Sequence, residues 1–218
     1  MRKLLRENSL SLAMFVLFVV SLAGQIWAGL AERNAEAESH GQPAQSLPAY
    51  LSSGHFIEAV FENWESEFLQ MGAFVVLTVV LRQKGSSESK SVDGDEEVDR
   101  EPEAKPGAPW AVWRGGLVQK LYENSLAIAL FALFGLSFVL HAVGGSMDYN
   151  DEQAAQGDPE RVTPVSYVAT SRFWFESFQN WQSEFMSVGA LVVLSIFLRQ
   201  KGSPESKPVD APHGDTGG

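Results

Sequence analysis

The chain has 218 residues, with 16 lysines and arginines against 27 aspartates and glutamates, a net charge of -11. An acidic balance of this size excludes a nucleic-acid binder, which needs a basic face to neutralise phosphates. With no cysteine there is no disulfide framework, no thiolate nucleophile and no Cys-ligated metal.

The mean hydropathy of -0.05 averages two unlike kinds of segment, uncharged apolar runs and acidic Pro/Gly/Ser-rich ones. Residues 9–30, SLSLAMFVLFVVSLAGQIWAGL, carry no charge. As a helix this run is ~33 Å long, enough to cross a ~30 Å hydrocarbon core. Arg2, Lys3 and Arg6 before it imitate a signal peptide. The same pattern recurs after Tyr122, in mid-chain where no signal peptide sits, so both runs predict membrane helices. The second covers residues 125–147 and is uncharged apart from the titratable His141. The apolar runs 68–81 and 185–198 are too short to span alone. Each continues backwards into an aromatic segment, HFIEAVFENWESEF or RFWFESFQNWQSEF, that holds no proline or glycine. Helices are therefore predicted over 55–84 and 172–201.

These segments repeat. Residues 7–30 match 123–146 at an offset of 116 with 10 of 24 positions identical, and 61–93 match 178–210 at an offset of 117 with 22 of 33. The extra residue falls in the intervening loop. The fold class read from this is an all-α membrane protein, four transmembrane helices arranged as two tandem parallel-repeat hairpins. Repeat 1 spans residues 1–90 and repeat 2 spans 110–207; 91–109 is a disordered cytoplasmic linker and 208–218 a disordered tail, by composition. Thirteen of the 16 basic residues lie before the first helix, between the second and third, or after the fourth. The positive-inside rule then puts both termini and the linker in the cytoplasm, with the chain multi-pass in the cytoplasmic membrane. Trp110, Trp113, Leu117 and Leu121 predict a short amphipathic helix on the inner surface.

The motifs ENSL, SGHFIEAVFENWESEFLQMG and LRQKGSSESK resemble those of a bacterial multi-pass membrane family known only as a domain of unknown function. The resemblance covers nearly all of both repeats and excludes the linker and tail. It implies the class and brings no activity, ligand or functional residue. The second copy departs from the motif, since Glu62 and Glu65 become Gln179 and Gln182.

A polar stripe is the main candidate site. Asn63, Glu67, Gln70 and Thr78 share one helical face, and Asn180, Glu184, Ser187 and Ser195 hold the corresponding places in repeat 2. A carboxylate in hydrocarbon costs ~2.5 kcal/mol or more unless paired, hydrated or protonated. The stripe is read either as an ion or proton site centred on Glu67 and Glu184, or as helix–helix polar contacts near the outer surface. Gln25 and His141 on the first helices are potential partners, His141 being able to titrate near neutral pH. Gly72, Gly189 and Gly24 are expected to allow close helix packing. Phe56, Phe61, Trp64 and Phe68, with Phe173, Trp174, Phe178, Trp181 and Phe185, read as an interfacial belt. The repeated LRQKGSxESK reads as a basic flank with glycine C-caps at Gly85 and Gly202, or as a cytoplasmic contact. Glu58, Glu62 and Glu65 are expected to form a solvated acidic face.

There is no HExxH, Walker loop or GxSxG, and the four histidines lack metal spacing. No enzyme activity, cofactor or metal is expected. The expected partners are the lipid bilayer and a further copy or another membrane protein, without nucleic acid. Two functions follow: a structural or interaction protein of the envelope, or a small oligomeric channel or proton/ion-coupled transporter using the stripe.

Overall fold

A computed structural model describes residues 2–39, 41–157 and 160–217. Nine α-helices are described: α1 (Arg2–Glu7), α2 (Ser9–Ser39), α3 (Leu47–Leu51), α4 (Gly54–Val80), α5 (Trp110–Arg114), α6 (Gly116–Glu123), α7 (Ser125–Ala155), α8 (Pro164–Val168) and α9 (Ser171–Phe197). A 3-10 turn covers Glu97–Asp99, and among the described residues there is no strand. Lengths recur along the chain: 31 residues for α2 and α7, five for α3 and α8, 27 for α4 and α9.

The boundaries differ from the expected ones in two ways. α2 and α7 run past their apolar stretches through AERNAEAES and DYNDEQAA, in which alanine, glutamate and glutamine sustain a helix without needing lipid. α4 and α9 stop short, at Val80 and Phe197, before the LRQK sequence. Among the described residues α2 and α7 are long and apolar enough to cross a membrane, where the sequence predicts four such helices. α4 and α9 fail that test because their N-terminal halves are rich in Glu, Gln, Asn and Ser. α2 buries no residue, and Leu10 and Phe15 are 72% and 62% exposed. The expected amphipathic helix is two, α5 and α6, broken at Gly115, and Trp110, Trp113, Leu117 and Leu121 are all exposed.

The chain divides into two compact units, Met1–Val60 with Leu140–Tyr167, and Phe61–Val139 with Val168–Gly218; α4 and α7 contribute to both. In the first, Tyr50 and Tyr167 are 1% and 0% exposed. Each seats on a glycine: a Cβ at Gly29 would lie 2.0 Å from the Tyr50 hydroxyl, and one at Gly145 2.3 Å from the Tyr167 ring. Asparagine amides close the loops ahead of these tyrosines. Asn34 accepts from the Gln45 amide at 2.7 Å and donates to its carbonyl at 3.3 Å. Asn150 does the same with Val162, at 2.8 and 2.9 Å. The asparagines are 116 residues apart and their partners 117, so the extra residue lies inside the second loop.

In the second unit aromatic rings from α7 and α9 interlock. Phe138 meets Phe173 edge-on at 5.0 Å and Phe134 meets Trp181 at 6.4 Å; edge-to-face geometry suits the ring quadrupoles. Phe173 is fully buried here, not at an interface. Gly72 does receive a neighbour, the Phe131 ring at 3.3 Å, whereas Gly24 and Gly189 look onto open space, so the expected packing role holds for one of the three.

The LRQKGSxESK segments end α4 and α9 by a device other than glycine. Gly85 and Gly202 have positive φ but sit in turns beyond the helix ends. Arginine side chains cap the helices instead. Arg82 Nη1 donates to the carbonyls of Val79 and Leu81, and its Nε to Ser91. Arg199 Nη1 donates to Ser195, Ile196 and Leu198, and its Nε to Pro208. The serine of each ESK triplet closes the turn, Ser89 accepting from the Gln83 amide at 2.8 Å and Ser206 from Gln200 at 2.9 Å. This need explains why the sequence identity runs on through ESK.

The residues beyond Lys207 hydrogen-bond to the rest of the second unit. The Lys207 ammonium, 2% exposed, donates to the carbonyls of Pro212, His213 and Asp215. Burial, followed by the charge of Arg199, lowers its pKa, while Asp215 pulls the other way. Thr216 Oγ1 then accepts from the Gly85 amide at 2.9 Å, and Gly217 donates to the Ser86 carbonyl at 3.0 Å. The start of the linker is tied as well, through a Lys90–Asp99 ion pair and a bond from the Ser91 amide to Glu96.

Gly145→Val is expected to lower unfolding stability by about 1–3 kcal/mol through a clash with Tyr167. Gly24→Ala, in open space, should leave it unchanged or raise it by up to about 1 kcal/mol. Thermal melts of both variants in detergent check the pair.

Candidate functional sites

The stripe residues divide by environment. Asn63 and Glu67 are exposed and Thr78 is half-buried, its hydroxyl bonded to the Phe74 and Val75 carbonyls of its own helix. Gln70 is buried at 8% exposure. On α9, Asn180 Nδ2 donates to the Glu176 carbonyl, Ser187 donates to Glu184, and Ser195 shares a 2.9 Å hydrogen bond with Ser86. Thr78, Asn180, Ser187 and Ser195 thus each have a partner within their own helix, Ser195 donating also to the Val192 carbonyl at 3.1 Å. Glu67 lies near enough to Glu184 in the second unit for its charge to act on that carboxyl group. Gln25 and His141 belong to the first unit, the stripe to the second.

Two of the three acidic residues expected at a solvated face are buried, and Glu62 is half-buried. Glu58 is 7% exposed and Glu65 fully buried. Trp181 Nε1 donates to Glu65 Oε1 at 3.0 Å. Two buried polar groups are cheapest when they satisfy each other. The sequence signal was the tryptophan itself, whose indole N–H needs an acceptor once its ring is packed among phenylalanines.

Glu58 anchors a second cluster, in the first unit. Tyr167 Oη donates to Glu58 Oε1 at 3.0 Å, and a ring nitrogen of His141 lies within 4.8 Å of the same carboxyl group. His141 and Tyr167 are both 0% exposed. α7 reaches Glu58 because residue 144 is glycine: a Cβ there would lie 2.4 Å from the Glu58 nitrogen. Carboxyl and imidazole side chains at this distance are of the types that hold a proton or a cation between them. Close by in sequence, Arg33 pairs with the buried Asp148 at 3.3 Å and with Glu36 at 3.0 Å. The spacing of histidines gave no hint of this cluster, because Glu58 and Tyr167 come from α4 and the short α8.

A third feature is a cavity of about 390 Å³ in the second unit. Phe74 and Leu77 of α4 and Val188 and Val192 of α9 form its walls; Arg82 and Glu88 of the first LRQKGSSESK turn lie at one end and Gln70 at the other. Burial raises the Glu88 pKa, the charge of Glu205 raises it further, and a bond from Ser87 opposes both. A carboxyl raised in the folded state holds its proton better there than in the unfolded chain. The penalty is absent below the unfolded pKa and grows as pH rises through the folded one.

The chain belongs, over residues 1–218, to the family described as Domain of unknown function (DUF6766). Comparison with the curated proteins and with the solved structures gave no match.

Glu88→Gln is therefore expected to stabilise the delipidated protein at pH 7 and to lose that advantage at pH 4, as read by melting temperature. At the Arg33–Asp148 pair, Asp148→Asn should cost about 2 kcal/mol, the worth of one hydrogen bond between charged groups, because Arg33 keeps Glu36. A double-mutant cycle with Arg33→Met, read by thermal unfolding, measures the coupling.

Proposed function

We propose that the chain is a four-span protein of the cytoplasmic membrane, two tandem hairpins with both termini and the linker inside, and that its role is structural. It assembles in the bilayer with further copies of itself or with another membrane protein. The tandem reading is supported by the asparagine clamps, tyrosine seats and arginine caps that recur at the sequence offset. The orientation is supported by the basic residues that cluster on one side.

One observation carries the assembly reading: Glu67 and Asn63 are exposed on a helix whose neighbouring side chains, Met71, Val76 and Val79, are exposed and apolar. Glu67 stands 13 residues before Val80, about 20 Å along the axis and so within a ~30 Å core. A carboxyl facing lipid there is costly, and a polar contact across a helix interface relieves it. In bacterial membranes, Met71→Cys (the chain has no other cysteine) is expected to crosslink into dimers or to a partner. Glu67→Ala should cut the crosslinked fraction about threefold or more, from about 0.6 kcal/mol per interhelical hydrogen bond. A chain that crosslinks to nothing sinks the proposal.

A second reading, a proton- or ion-coupled transporter, is favoured by the buried Glu58–Tyr167–His141 cluster. Its test is flux in proteoliposomes, comparing wild type with Glu58→Gln and with the Glu67→Gln/Glu184→Gln pair. Flux that either variant abolishes would establish transport. No wild-type flux across several ions and pH gradients leaves the structural role.

A further inference from the structure

The cavity in the second unit has the shape and chemistry of a lipid site. Its volume of about 390 Å³ lies within the range of small-molecule pockets. From Gln70 on α4 to Leu81 just past its end, this wall advances 11 residues, about 16 Å at the helical rise, which is roughly the depth of one leaflet of a ~30 Å hydrocarbon core. Along that length the walls are Phe74, Leu77, Val188 and Val192, a lining suited to an acyl chain and not to a hydrated solute.

The polar end selects the head group. Arg82 is fixed by its bonds to the Val79, Leu81 and Ser91 carbonyls, which hold a permanent positive charge at the mouth. Glu88 lines the same mouth with a carboxyl group. A purely anionic head would meet Glu88, which Glu205 already repels. A purely cationic head would meet Arg82. A head carrying a phosphate and an ammonium a few atoms apart satisfies both groups at once. The ammonium also provides the counter-charge that a desolvated carboxylate lacks.

We propose that this cavity binds one glycerophospholipid with a phosphoethanolamine head, its acyl chain between Phe74 and Val192, its phosphate at Arg82 and its ammonium at Glu88. The inference goes beyond the assembly reading and needs only that α4 and α9 stand in a bilayer. A chain that keeps the lipid but crosslinks to nothing in the membrane would sink the assembly reading alone.

The test is native mass spectrometry of the full chain, delipidated in detergent and supplied with equal phosphatidylethanolamine and phosphatidylglycerol. Wild type is expected to retain one phosphatidylethanolamine. Glu88→Gln should lose about tenfold in retention, the worth of one hydrogen bond to a charged group. Gly189→Leu should abolish it by filling the cavity; residue 189 lines the cavity and its Cβ direction is open, so the variant is expected to fold. Glu101→Gln, exposed and outside the lining, should bind as wild type does. Melting curves on the same samples separate lost binding from lost fold. Preferential retention of phosphatidylglycerol, no retained lipid in wild type, or retention unchanged in both Glu88→Gln and Gly189→Leu would each overturn the proposal.

Discussion

An α-helix leaves its last four carbonyls without partners inside the helix, and each must find one elsewhere. α4 and α9 meet this constraint with one long side chain each. Arg82 and Arg199 fold back over the helix ends and gather carbonyls that would otherwise be orphaned, while their other nitrogen reaches forward nine residues to Ser91 and Pro208. That forward reach is what organises the following turn. Once the arginine is placed, the serine just before the final lysine closes on the amide after the arginine in both segments, and only the intervening KGSxE arc allows it, so the whole decapeptide behaves as one unit. The charge stays because it is bonded to dipoles, not because water happens to be near.

The first unit is held by a complementary principle, small backbones admitting large polar side chains. Gly29 and Gly145 make room for Tyr50 and Tyr167, and Gly144 lets α7 approach the backbone at Glu58. The tyrosines are buried because α3 and α8 are too short to cover a helix by themselves and offer one side chain each. Tyr167 then spends its hydroxyl on Glu58, which turns a packing residue into part of a titratable cluster. Fold and candidate chemistry share the same atoms here, so a change at Gly145 would disturb both.

Much of the architecture was legible in the sequence. Uncharged runs marked α2 and α7, and the repeat foretold the equal helix lengths and the position of the extra loop residue. The errors lay where side chains override composition. Polar tails such as AERNAEAES looked like loop but carry good helix formers, so α2 and α7 run on. LRQK looked like helix, but an arginine that caps carbonyls ends one. The site was read less well, because helical periodicity reports which residues share a face and not which face is covered. Glu67, chosen for its place in the apolar stretch, is exposed, while Glu58 and Glu65, set aside as surface, are buried beside Tyr167 and Trp181. Such pairings join residues more than a hundred positions apart, which no local pattern encodes.

The tail's route over the first arginine-capped turn makes the covalent linker partly redundant. Thr216 and Gly217 bond to residues 85 and 86, Ser195 to Ser86, and the Glu205 carbonyl accepts from Ser87 Oγ. The N-terminal and C-terminal halves of the chain are therefore laced together on both sides of residues 101–108. A protease nick in that stretch would leave two fragments that still hold each other, and two separately expressed halves carry the bonds needed to reassemble. The chain behaves, in that sense, as a heterodimer whose subunits happen to share a peptide bond.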